Sequence, residues 1–412
     1  MKRYSVKIAP SRLSGRVTAP PSKSISHRAL ICAALADGES VISNLAFSED
    51  ILATVDALTA IGAAFEKPSD DTLKVTGIGG KPNPKGILSC RESGSTLRFM
   101  IPICLLSPEE FKLSGTEKLL SRPLGIYSEL FSERYRGSNG KVLTLSAGEP
   151  IKSGEYRVAG NVSSQFITGM LFALPLCNGD SQLIVEGDFE SASYVDLTLS
   201  SLTDFSIDVK REGNIFHIKG NQSYRPADVK IEGDASNAAF FEALNLVGGE
   251  VEVEGLRPDS LQGDMAFKRH FESIKAKKNE DIDLSDCPDL APILFSAAAL
   301  LGGGGFTHTD RLRLKESDRI AAMAEELAKF GAVLEAVDGI DGGRVTVQKT
   351  TLHAPTSILN SHNDHRIAMS LSVLSVLLGG EIEDAHAVSK SMPDFFQKLK
   401  DLGADIAITE TL

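Results

Sequence analysis

Apolar runs too long for ordinary strands recur along this chain, and a polar cluster stands at the head of each. Ala29-Leu-Ile-Cys-Ala-Ala-Leu35 follows PSKSISHR and stops at Asp37-Gly38. Serine before the run and glycine just past it predict a capped helix. The same grammar predicts helices in FMIPICLL after RESGSTLR, in FITGMLFALPL after VSSQ, and after Gly233-Asp-Ala-Ser236. It recurs after Pro288-Asp289, after RLRLKESDR with Ser317 as the N-cap, and after His362-Asn-Asp-His365-Arg366. Each of these helices is expected to end in glycine.

Between them, residues 3–9, 41–45 and 181–189 read as strands, and Ser48–Ile61 and Ser191–Asp204 as helices. FSIDVKR and NIFHIKG form a hairpin around Glu212-Gly213. Thr116–Gly125, with Lys118 and Arg122, reads as a loop, as does the segment around Lys390. One ending recurs three times as LxxxGAx plus an apolar residue, at Leu58–Phe65, Leu327–Leu334 and Leu399–Ile406. A helix end, a glycine and then a strand, repeated, point to a repeated α/β unit.

At 412 residues, two domains are the default, and 42% hydrophobic with 24% charged residues describes an ordinary globular chain. No apolar run is long enough to span a membrane, and MKRYSVKIAP lacks the apolar core of a secretory signal. The five cysteines are odd in number, scattered and mostly inside apolar runs, so they are expected to be reduced and buried in a cytoplasmic protein. A net charge of −12 argues against nucleic acid as a partner.

In an acidic chain, clustered cations gain meaning. Taken singly, each polar cluster is a capped surface helix. Taken together, Lys23, Arg28, Arg98, Arg122, Arg313, Lys315, Arg319, Arg366 and Lys390 stand at helix N-terminal turns or loops. If those helices run parallel, their dipoles and cations converge on one anion-binding cleft. Ser24, Ser163, Ser164, Gln165 and Ser191 add polar donors. Asp289 and Glu316 lie in cationic company. Each could be an ion-pair partner or a helix-start carboxylate; together they point to proton transfer on a multiply charged substrate. There is no GxxxxGK[ST] and no GxSxG. His362 and His365 precede an arginine and have no partnered carboxylate or cysteine motif, so capping and packing outweigh a metal site.

PSKSISHRAL, SGSTLR, SRPL, VSSQF, GDASNAAFF, SLQGD, PDLAPIL, RLKESDRI, NDHRIAM and KSMPDFF resemble, in order from residue 21 to 396, the motifs of the EPSP synthases. These are 3-phosphoshikimate 1-carboxyvinyltransferases. The resemblance implies a two-domain inside-out α/β fold of six βαβαββ repeats, three per domain. The first domain would be discontinuous, residues 1–20 with 233–412, and the second would be 21–232. The implied reaction moves the enolpyruvyl group of phosphoenolpyruvate to the 5-hydroxyl of shikimate 3-phosphate and releases phosphate. It serves aromatic amino acid biosynthesis, by addition and elimination in an interdomain cleft that shikimate 3-phosphate is expected to close.

By motif, Lys23, Ser24, Arg28, Ser163, Ser164, Gln165 and Ser191 would bind shikimate 3-phosphate, with Tyr194 beside it. Lys23, Gly94, Arg122, Gln165, Arg319, Arg366 and Lys390 would hold phosphoenolpyruvate. Asp289 would take the 5-hydroxyl proton, Glu316 would protonate the methylene carbon, and Lys315 would touch polar groups of both substrates. Lys23 joins Asp289 and Glu316 as the catalytic set. The family works without metal, cofactor or covalent enzyme intermediate, and a monomer is expected. Glu92 stands where many members have asparagine, leaving Arg91 or Arg98 to neutralise it, and Arg311 stands where some have asparagine. Two alternatives are a UDP-N-acetylglucosamine enolpyruvyl transferase, whose loop cysteine is missing from GTEKLLSR, and a non-catalytic phosphometabolite-binding paralogue.

Overall fold

A computed structural model describes residues 3–277, 280–339 and 342–411. Six helices in it are buried almost all round: Lys23–Leu35, Gly94–Cys104, Ser164–Ala173, Ala235–Ala243, Ala291–Leu301 and His365–Leu378. A helix apolar on every side belongs at a centre, and each of the six follows one of the polar clusters read from the sequence. Amphipathic helices such as Glu49–Ala60 and Arg319–Lys329 bury one face only. The helices thus fill the interior, and small sheets face outward.

The chain divides into two compact units, residues 1–20 with 233–412 and residues 21–232. Six sheets occur among the described residues, five of four strands and one of two. In the second unit, Glu155–Ala159 pairs in parallel with Ser181–Glu186, which pairs antiparallel with Ile215–Ile218, itself antiparallel to Val209–Glu212. With the intervening helices this is one βαβαββ repeat, its strands ordered first, second, fourth, third. Leu88–Ser89 through Leu145 gives the same order. In the first unit, Ile282–Asp283 through Val347 repeats it again.

The remaining repeats are spliced. Arg3–Ile8 is the inner fourth strand of the sheet formed by Leu359–Asn360, Gly380–Glu383 and Ile406–Thr411. Ser14–Thr18 and Val229–Lys230 trade sequence neighbours. The former precedes the Lys23 helix yet pairs with Glu250–Glu254; the latter precedes the Ala235 helix yet pairs with Glu39–Ser43. The chain crosses between units just after each of these strands.

The three echoed endings are helix-to-strand joins. Gly62, Gly331 and Gly403 have φ of +113°, +86° and +104°, a left-handed backbone that side chains resist.

Several expectations need correction. The N-cap of Arg319–Lys329 is Asp318, whose carboxylate accepts from the N–H groups of Ile320 and Ala321. Ser317 instead donates to Asp364 at 3.1 Å. Thr116–Gly125 holds a helical turn, Glu117–Leu120, with Thr116 accepting from Leu119 N–H. Lys390 ends a 3-10 helix, Ala385–Lys390, and Pro288–Leu290 is a 3-10 turn ahead of its α-helix.

The Gly94 helix ends without glycine, and Pro102 lies inside it. A proline there removes the N–H that would reach the carbonyl of Arg98. The Tyr127 hydroxyl donates to that carbonyl instead, at 2.8 Å.

Candidate active site

Each unit gathers its buried helix starts around a polar cluster. In the unit of residues 1–20 and 233–412, the Ala235, Ala291 and His365 helices meet at their N-termini. Arg366, in the first turn of its helix, donates to the Ser236 hydroxyl, to the Asp289 carbonyl at 3.2 Å and to the Asp289 carboxylate at 2.9 Å.

Arg319 enters the same cluster with its side chain 1% exposed. Its three nitrogens reach Asp364 at 2.9 Å, Asp289 at 2.9 Å and Glu316 at 2.8 Å. Lys315 lies 3.4 Å from Asp289. Lys390 donates to the Asn363 carbonyl at 2.7 Å. The Arg313 guanidinium pairs with Asp318 and Asp338, and Arg311 donates to the Ser285 carbonyl.

Electrostatics follow from this crowding. Burial alone would raise the Asp289 pKa, but the charges of Arg366, Lys315 and Arg319 outweigh it and hold the carboxyl well below its usual range. Asp364 is likewise lowered, with Arg319 overcoming burial. Burial pulls Lys315 down, as do Arg319 and Arg311, against the pull of Asp289.

In the unit of residues 21–232, Gln165 ties two helix starts together. Its side-chain amide donates to Ser95 at 2.9 Å, and its oxygen accepts from Arg98 at 2.7 Å. Ser163, the N-cap, accepts from the Gln165 N–H at 3.3 Å, and Ser164 is buried beside it. Gly94 faces the same point: a Cβ there would lie 2.9 Å from an Arg122 nitrogen and 3.3 Å from an Arg98 nitrogen. The Nε of Arg122 is buried and finds no hydrogen-bond partner.

Lys23 is ion-paired with Asp50 at 2.7 Å. Arg28 is buried, donating to Thr198 at 2.9 Å and to the carbonyls of Ser24 and Tyr194, with its guanidinium over the Phe99 ring. Burial lowers its pKa to about 10. Arg28 therefore clasps two helices, where the sequence pointed to an open anion donor. Ser191 holds the N-cap position of Ala192–Asp204 in a left-handed conformation, φ +56°. Of the arginines expected to neutralise Glu92, Arg91 bonds Asp56 and Glu49, and Arg98 reaches Gln165.

Sequence reading missed Asp50, Ser95, Ser236 and Asp364 as members of these clusters. The signals were present: Asp364 and Ser236 lie inside NDHR and GDAS. It also missed a carboxylate partner for the HxxH pair, since His362 Nε2 is 3.0 Å from buried Glu326. Glu325, Glu326 and His362 have ligand-type atoms within 4.8 Å of one another. Lys329 already bonds both Glu326 oxygens, at 2.8 and 2.9 Å, so a cation there would meet a fixed ammonium.

The family model for EPSP synthase (3-phosphoshikimate 1-carboxyvinyltransferase) matches residues 8–399. The chain belongs to the EPSP synthase family. Relatives named 3-phosphoshikimate 1-carboxyvinyltransferase include one from Clostridioides difficile, 40% identical with 98% of each chain covered. One from Clostridium botulinum is 41% identical with 97% of each covered. Among solved structures, the EPSP synthase of Acinetobacter baumannii superposes with a TM-score of 0.78 over 99% of this chain and all of the other, at 23% identity. The six-repeat inside-out architecture is the fold of this family. Among the described residues, no helix is long and apolar enough to cross a membrane.

Proposed function

We propose that this chain is a 3-phosphoshikimate 1-carboxyvinyltransferase. It joins the enolpyruvyl group of phosphoenolpyruvate to the 5-hydroxyl of shikimate 3-phosphate and releases phosphate. The observation that carries the reading is the pairing of Asp289 and Glu316 on one buried guanidinium, Arg319, beside Arg366 and Lys315. A binding protein needs the cations; the two carboxylates are needed for proton transfer.

In this reading phosphoenolpyruvate engages Lys23, Gly94, Arg122, Gln165, Arg319, Arg366 and Lys390. The unsatisfied Nε of Arg122 supports an anionic ligand, because a buried donor without a partner is costly. Shikimate 3-phosphate engages Lys23, Ser24, Ser163, Ser164, Gln165 and Ser191. Arg28 assists by its charge and by fixing the backbone of Ser24 and Tyr194.

Asp289 accepts the 5-hydroxyl proton and Glu316 delivers a proton to the methylene carbon as the C–O bond forms. Loss of a proton from the resulting methyl group as phosphate departs then restores the C=C bond, and Lys315 steadies both substrates. Held low by Arg366, Lys315 and Arg319, Asp289 is ionised but weakly basic. Bound anions offset those cations and raise its basicity when the proton must move.

The reading takes the chain as a cytoplasmic monomer, with its five buried thiols suited to a reducing compartment. Burial pushes Cys90 up to about 12 and Cys177 up to about 11. No such thiol serves as the loop cysteine of the UDP-N-acetylglucosamine enzyme. Phosphate release from phosphoenolpyruvate with each acceptor tests the proposal. Turnover with shikimate 3-phosphate and none with UDP-N-acetylglucosamine is expected; a folded protein inactive with shikimate 3-phosphate would overturn it.

A further inference from the structure

The helix Arg319–Lys329 meets the turn before Arg366 at two points on one face. Residues seven apart on a helix share a face. Arg319 bonds Asp364, and Glu326, seven residues on, bonds the segment just before it. Glu326 is wholly buried, yet its carboxylate is fully engaged. It accepts from Lys329 at 2.8 and 2.9 Å, from the Asn360 backbone N–H at 2.9 Å, and lies 3.0 Å from His362 Nε2. Lys329 also donates to the Ile358 carbonyl at 3.0 Å.

What this grip holds is a strained turn. His362 and Asn363 are consecutive non-glycine residues in the left-handed region, with φ of +50° and +54°. Such residues cost energy and persist only where their surroundings dictate them. Asn360 Oδ1 accepts from the His362 N–H at 2.6 Å, and Ser361 Oγ from the Asn363 N–H at 3.1 Å. The turn then delivers two groups. The Asn363 carbonyl receives the Lys390 ammonium at 2.7 Å. Asp364 caps the helix at the Arg366 N–H, 2.9 Å away.

We propose that Glu326 is a positioning residue for the phosphoenolpyruvate subsite. Through His362 and Asn360 it imposes the left-handed turn that sets Lys390 and Arg366. The inference rests on the function proposed above. It adds that a carboxylate outside the ligand-binding set governs affinity for one substrate. Loss of a hydrogen bond to a charged group, transmitted to two ligand-binding cations, should weaken that substrate about tenfold.

The test is steady-state kinetics of the full chain, wild type against Glu326→Gln and His362→Asn. Asparagine tolerates the left-handed backbone of this turn but is too short to reach Glu326, so the second variant keeps the proposal testable if Glu326→Gln folds poorly. The expected result is a KM for phosphoenolpyruvate raised about tenfold in each foldable variant, with kcat and the KM for shikimate 3-phosphate within about twofold. Unchanged KM values, or both KM values raised equally, would overturn the proposal and reduce Glu326 to a fold anchor. A wild type without phosphate release would refute the functional reading instead, so the two failures are distinct.

Discussion

Arg319 donates from Nε to Asp364 at 2.9 Å, and the two side chains are 1% and 0% exposed. A buried ion pair gains little over an apolar pair, but removing one partner is expensive. Asp364→Ala should therefore cost about 3 kcal/mol of unfolding free energy, read from urea denaturation. The pH dependence has a definite sign. Asp364 and Asp289 both titrate lower in the folded chain than when unfolded. Their contribution is complete above about pH 5 and drains away as pH falls through the lowered folded values. Melting temperature should fall steeply on acidification, and less steeply in Asp364→Asn. A variant as steep as wild type would contradict the depressed pKa.

Asp289→Asn and Glu316→Gln should lower kcat by about 10²- to 10⁴-fold, the span for positioned acids and bases. Rapid-quench measurement of phosphate release checks this. Near-normal kcat in either variant removes that residue from the proton-transfer scheme.

Gly94→Ala places a Cβ 2.9 Å from an Arg122 nitrogen. The guanidinium must then move, and a bidentate contact to an anion tolerates little displacement. The KM for phosphoenolpyruvate should rise about tenfold, with unfolding free energy nearly unchanged. If the same substitution leaves this KM unaltered, Arg122 does not touch that substrate.

Tyr127→Phe deletes the donor that serves the Arg98 carbonyl in place of the missing Pro102 N–H. The loss should be about 1–3 kcal/mol, the cost of leaving a buried acceptor unsatisfied. Chemical denaturation of the two proteins side by side measures it, and equal midpoints would refute the compensation.

The buried helices were legible because their signals are local. Ser93, Ser163 and Asp234 cap by contacts within three residues, and Gly62, Gly331 and Gly403 mark where a helix must turn into a strand. Clusters were legible only as lists of charges. Nothing near Lys23 in sequence points to Asp50, 27 residues away, and Glu326 reaches Asn360 across 34. The repeats stayed hidden for a topological reason. Ser14–Thr18 and Val229–Lys230 each pair with the strand that follows the other, so a linear scan meets broken copies. Ser317 was misread because Asp318, one residue later, offers the stronger cap.

The placement of Arg3–Ile8 has a consequence for synthesis. This strand is synthesised well before both of its neighbours, Gly380–Glu383 and Ile406–Thr411. At ribosomal speeds of about 5–20 residues per second, it waits roughly 20–80 seconds with both edges bare. Unpaired strand edges recruit other strands. Residues 21–232 form a continuous stretch that can complete its own core in the interval. The nascent chain thus carries a folded passenger while Arg3–Ile8 still waits for both of its partners.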